Sequence, residues 1–181
     1  AATTTIVSAS ADDDGDPAGT GANTVQVYGV DANYLAIDET VTLNGTSAVT
    51  LSNEYLRVFR AKVLTAGSGG VNAGNIQIKH GATVLAQITA GYGQTLMAIY
   101  TVPADYTAAW LVQWYAVLAK KQTVIATILL QTRSFGGAWQ TKEIVSVSNT
   151  GGDWQYTYPQ WVKVDPKTDI QVLSPMNRSL L

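Results

Sequence analysis

The sequence predicts an all-β protein, on three observations. Apolar and polar residues alternate in short runs such as VQVYGV (25–30) and NIQIKH (75–80), and a period of two is that of a strand with one buried face. Turn signals rich in Gly, Asn, Asp and Pro separate these runs at roughly ten-residue spacing, and no segment carries the apolar period of an amphipathic helix. Charged residues make up 13% of the chain, against about 25% in an average soluble domain, while Thr, Val, Tyr and Trp are abundant. About a dozen short strands result, the pattern of a sandwich or a barrel.

Residues 1–23 are small, polar and Gly-rich, with Asp12-Asp13-Asp14-Gly15-Asp16 ahead of Pro17. Such a segment buries too little apolar surface to offset backbone ordering of about 1–2 kcal/mol per residue, so a flexible N-terminal arm is expected. Its acidic run invites a calcium reading, but an EF-hand loop opening at Asp12 needs Gly at position 17 and Glu at 23. Pro17 and Asn23 stand there instead, so a solvated acidic loop is expected. The remainder, 24–181, reads as one domain, with two sub-lobes meeting near 76–90 as the alternative division.

Strands are expected at VQVYGV, YLAI (34–37) and ETVTL (39–43). Asn44-Gly45 then signals a tight hairpin into AVTL, because both residues tolerate positive φ. YLRVFRAKVL (55–64) has no cleanly apolar face and reads as an edge or interface strand. TAGSGGVNAGN (65–75) reads as a flexible Gly-rich connection, and NIQIKH pairs with TVLAQIT around His80-Gly81.

The stretch Gly91–Leu118 reads as the centre around which the rest of the chain is layered, two apolar runs separated by Pro103-Ala104-Asp105, where proline cannot donate to a ladder. In its second half Trp110, Val112, Trp114, Ala116 and Leu118 fall on one side and Leu111, Gln113, Tyr115 and Val117 on the other. With both faces apolar, this strand is expected inside a sandwich or beneath a neighbouring subunit. Lys120-Lys121-Gln122 then turns into TVIATILLQTR (123–133), Gly136-Gly137 into WQTKEIVSVS (139–148), and Thr150-Gly151-Gly152-Asp153 into WQYTY. A last strand, DIQVL (169–173), follows.

Few function classes survive this inventory. The net charge of −2, with no basic run longer than Lys120-Lys121, argues against nucleic acid as a partner. There is no cysteine for disulfide or thiolate chemistry, and the single histidine, His80, falls at a hairpin tip with no triad or zinc pattern around it. GSGG and NAGN open no helix, so no phosphate-binding loop is read from them. The opening AATTTIVSAS lacks the features of a secretory signal, and no apolar run reaches the length of a membrane span. Asn44-Gly45-Thr46 and Asn177-Arg178-Ser179 fit the glycosylation pattern, but such triplets are common by chance. Most of the thirteen carboxylates, among them Asp38, Glu39, Asp105, Asp153 and Asp165, lie at turns or strand ends, where solvation explains them. No catalytic, cofactor-binding or metal-binding residue is assigned.

The aromatic residues are the candidate partner surface. Trp154, Tyr156 and Tyr158 stand at spacing two and share a face if extended; Trp110 and Trp114 share one on their own strand. The row at 154–158 could fill a core, form a subunit contact or stack sugars.

ETVTLNG (39–45), TAGSGGVNAGNI (65–76), AGYGQTLMAIYTVP (90–103) and DPKTDIQV (165–172) together resemble a family of tailed-phage virion proteins common in marine and cyanobacterial phages. The resemblance spans nearly the whole chain in order and wording, though the acidic run at 12–16 departs from it. It implies a capsid decoration, or cement, protein without enzymatic activity or cofactor. Such a protein would be a β-sandwich of jelly-roll type and a homotrimer. It would sit on the outer surface of the virion capsid, bound to the major capsid protein. The alternative is a head- or tail-fibre component that binds host surface glycan, and an enzyme acting on glycan is a third.

Overall fold

The computed structural model describes residues 3–117, 125–148 and 154–174. Among these the chain is all-β and antiparallel, and it divides between Met97 and Ala98 into two compact units, each with its own core.

The first unit holds β1 (Thr4–Ser8), β2 (Ala22–Val30), β3 (Ala36–Thr42), β4 (Val49–Thr50), β5 (Arg57–Ala66), β6 (Ile76–His80) and β7 (Thr83–Ile88). They form one sheet of order β4-β1-β6-β7 and another of order β3-β2-β5. Alternate residues of both sheets enter one core, in which Ile6, Val25, Val27, Ile76, Ile78 and Ile88 are fully buried. Each such side chain stabilises the fold by roughly 1.5–3 kcal/mol.

Several expectations are overturned in this unit. Residues 3–23 are not an arm: β1 lies between β4 and β6, pairing Thr4 with His80 and Ser8 with Ile76. Composition misleads here because the segment is ordered by partners far along the chain. Asn44-Gly45 does open a tight reversal, in which Ser47 N–H donates to Asn44 O across a single bridge, but the strands on either side of it do not pair as a hairpin. Gly45 adopts φ +52°, its N–H donates to Asp13 O, and the chain passes from β3 in one sheet to β4 in the other. YLAI and ETVTL merge into the single strand β3. The strand β5 is at a sheet edge, and its mixed faces follow from a bulge opposite Tyr28-Gly29 that shifts the alternation.

The second unit holds β8 (Ile99–Thr101), β9 (Ala109–Ala116), β10 (Ile125–Arg133), β11 (Gln140–Ser148), β12 (Trp154–Val164) and β13 (Asp169–Leu173). A four-stranded sheet of order β11-β10-β13-β8 and a two-stranded sheet, β12-β9, enclose a core of Val102, Trp114, Ala116, Leu130, Val145, Val147, Val164 and Ile170. The stretch 91–118 is therefore not the centre of one domain. The unit boundary falls within it rather than at 76–90, where β6 and β7 form a hairpin of the first unit. With seven strands in one unit and six in the other, neither reaches the eight of a jelly roll among the described residues. Leu118, the turns expected at 120–122 and 150–153, and the triplet at Asn177 lie outside the described residues.

Candidate functional site

The sheet β12-β9 carries all five aromatic residues singled out in the sequence. Trp154, Tyr156 and Tyr158 share a face, as their spacing predicts: the rings of Trp154 and Tyr156 stack at 6.0 Å, and those of Tyr156 and Tyr158 meet edge to face at 5.0 Å. Trp154 also packs against Trp114 at 4.4 Å, and both it and Tyr158 lie against the core, while Tyr156 is 39% exposed. Most of this row fills the interior.

Trp110 is separated from Trp114 by a change of phase. Ladder pairs run from Trp154–Ala116 to Thr157–Gln113, then resume at Val162–Leu111, so β12 spends extra residues where β9 spends few. Beyond this bulge Leu111 and Ala109 face the core, and Trp110 and Val112 face out. Tyr115 and Val117 also point outward, 70% and 60% exposed, so β9 has one buried apolar face and one bare one. Trp161, on the bulged segment, is 63% exposed.

Glu143 on β11 was not singled out by sequence reasoning. It shares parity with Val145 and Val147, which face the core, so a carboxylate on an inward phase was the available signal. Its two oxygens accept hydrogen bonds from Trp114 Nε1 at 3.0 Å and from Tyr158 Oη. Both aromatic donors are thereby satisfied at the edge of the core. Burial, and next the Glu143 carboxylate that its hydroxyl donates to, push the Tyr158 phenol well above its ordinary range.

Where the β12 bulge parts the two sheets, a cleft of about 410 Å³ opens. Leu111, Leu130, Val162 and Val164 line it with apolar surface, and Thr132, Ser134, Thr168, Glu143 and Tyr158 add polar atoms. Lys142, Lys163 and Asp165 stand around it, with Lys163 Nζ 2.9 Å from Asp165. One end of the unit is tied by Asp169. Its carboxylate is 2% exposed as a residue, accepts from Thr101 Oγ1 at 2.7 Å, and receives both Nε and Nη2 of Arg133. The Arg133 guanidinium lies over the Trp139 ring at 4.6 Å.

In the first unit the acidic run is not simply solvated. Asp13 is fully buried and accepts hydrogen bonds from Ser8 Oγ and from the backbone N–H groups of Ala22, Ala73 and Gly74. Beside it Asn72 is 1% exposed; its amide donates to Gly74 O and Thr89 O, and its oxygen accepts from Gly93 N. The Gly-rich segment 65–75 is thus a packed junction. A Cβ at Gly67 would stand 2.0 Å from Gly19 O, so glycine is required there by close backbone approach.

His80 is not in the turn itself, which is Gly81-Ala82, but is the last residue of β6, paired with Thr83 and Thr4, and its Nδ1 has no hydrogen-bond partner among the described residues. Among those residues no three His, Asp or Glu side chains gather as a metal site, and no helix is long and apolar enough to cross a membrane. No family model, no curated protein and no solved structure matches this chain.

Proposed function

We propose that this chain is a virion structural protein, a capsid decoration protein that stabilises the head of a tailed phage by binding across major capsid protein subunits on its outer surface. The observation that carries the reading is the bare face of β9. Trp110, Val112 and Tyr115 project outward from β9, a strand without a charged residue, and Val117 is exposed just beyond its end. Aromatic side chains grouped with few charges are the composition of an interface centre, because they bury large area at small entropic cost. The four segments that resemble tailed-phage virion proteins supply the proposed setting, and the two separate cores suit a protein whose task is to hold rather than to react. Self-association as a homotrimer belongs to the same proposal, and would multiply weak contacts over symmetry-related sites.

The test uses shells from which the protein has been omitted. A ligand that binds only the assembled shell adds about 2.7 kcal/mol per site at a hundredfold excess over Kd. Shells lacking the protein should release their genome at lower temperature, and added protein should restore resistance in a saturable way. Tyr115→Ser and Trp110→Ala, both on the exposed face, should fold normally and restore little. Equal heat resistance with and without the protein would refute the reading.

A further inference from the structure

We infer that the cleft between the two sheets of the second unit is a binding site for a neutral sugar residue, a function separate from capsid decoration and not dependent on it. The first argument is electrostatic. Lys142 and Lys163 are matched by Glu143 and Asp165, and Lys163 is already neutralised by Asp165 at 2.9 Å. A strongly charged ligand would meet as much repulsion as attraction there, so the lining selects a ligand without net charge.

The second argument is the mixture of surfaces. Leu111 and Val162 give the cleft its accessible apolar wall, and the almost wholly buried Leu130 and Val164 close its floor. Thr132, Ser134 and Thr168 offer hydroxyl groups that both donate and accept. A six-membered chair whose axial C–H groups make an apolar face and whose hydroxyls form the rim matches that division, and this is the chemistry of a pyranose. The cleft, at about 410 Å³, is within the range of small-ligand sites.

The third argument is rigidity. Tyr158 lines the cleft and its hydroxyl is fixed on Glu143, while its ring is braced edge-on by Tyr156. Glu143 is held in turn by Trp114 Nε1. An aromatic platform and a carboxylate acceptor that are already positioned lose little freedom when a ligand arrives, which is the usual source of affinity in small polar sites.

The experiment is saturation-transfer NMR on the full chain, with methyl glycosides of the common neutral hexoses and N-acetylhexosamines at millimolar concentration. At least one glycoside should receive saturation at its ring protons and be displaced by its own free sugar. Ser134 is exposed at the cleft, so Ser134→Trp should fold normally, as judged by circular dichroism, and abolish the transfer. Tyr158→Phe keeps the ring but releases it from Glu143, and should weaken binding by about tenfold. No transfer to any member of the panel would overturn the inference, as would transfer unchanged in Ser134→Trp. Neither result bears on whether the protein stabilises capsids.

Discussion

Asp13 and Ala73 lie 60 residues apart in sequence, yet the Ala73 N–H donates to the Asp13 carboxylate at 2.7 Å. The same carboxylate takes the N–H groups of Ala22 and Gly74 and the hydroxyl of Ser8. Asp13→Ala would leave these donors buried without a partner, at about 1–3 kcal/mol for each that water cannot reach. Urea denaturation of the variant should show the first unit destabilised by about 3–5 kcal/mol. A loss under about 1 kcal/mol would mean that the junction relaxes around the missing group.

Removal of residues 1–13 should be just as damaging. It deletes β1 from the middle of its sheet, together with the fully buried Ile6 and Asp13. Proteolysis of the truncated protein should cut the first unit rapidly, whereas a dispensable arm would leave the digestion pattern unchanged.

Two glycines of the same loop separate two reasons for glycine. At Gly67 an added Cβ would collide with backbone, whereas Gly70, at φ +72°, has open space around it and suffers only from its conformation. Gly70→Ala should therefore cost about 1 kcal/mol and Gly67→Ala clearly more, measured as shifts of the thermal midpoint. The reverse order would contradict the close approach to Gly19.

Alkaline pH should loosen both units. Burial is the leading cause that raises the Tyr55 and Tyr158 phenols in the folded state, and nearby carboxylates add to it. A raised phenol pKa means that the unfolded chain loses its proton first. The stabilisation is complete below the ordinary value near 10 and is lost as pH rises from there through the folded-state value. Absorbance titration at 295 nm should show a fraction of the tyrosines ionising above the ordinary value near 10, and that late fraction should shrink in Tyr158→Phe. If that variant titrates like the parent, Tyr158 is not shielded.

The strands at β2, β6, β7, β10, β11 and β13 were legible in the sequence because their alternation is regular and each begins and ends at a turn signal. What escaped was whatever depends on a partner strand. The phase of β9 changes at Val112 because β12 bulges opposite it, and no property of residues 109–117 announces this. The Asn44-Gly45 pair read as a hairpin because local φ preference says nothing about Asp13, which captures Gly45 through its backbone carbonyl. The Gly-rich 65–75 segment read as flexible for a similar reason: composition does not distinguish glycine that moves from glycine that packs. The shared face of Trp154, Tyr156 and Tyr158 followed from spacing alone. That Trp154 and Tyr158 lie against the core while Tyr156 is exposed did not, since spacing places residues on one face without saying how deeply each is covered. Glu143 was within reach by parity with Val145 and Val147.

The pairing of β1 with β6 governs when this protein becomes safe during synthesis. Thr4 leaves the ribosome 76 residues ahead of its partner His80, which must still be made at about 5–20 residues per second. For roughly 4–15 seconds the strand that will close the first sheet has no complement, and Ile6 and Val7 wait in water. Closing so long a loop costs chain entropy before any long-range contact repays it, which makes folding slow and leaves newborn chains prone to pair with one another. Overproduction at low temperature or with a holding chaperone should raise the soluble yield more than any change to the exposed face of β9.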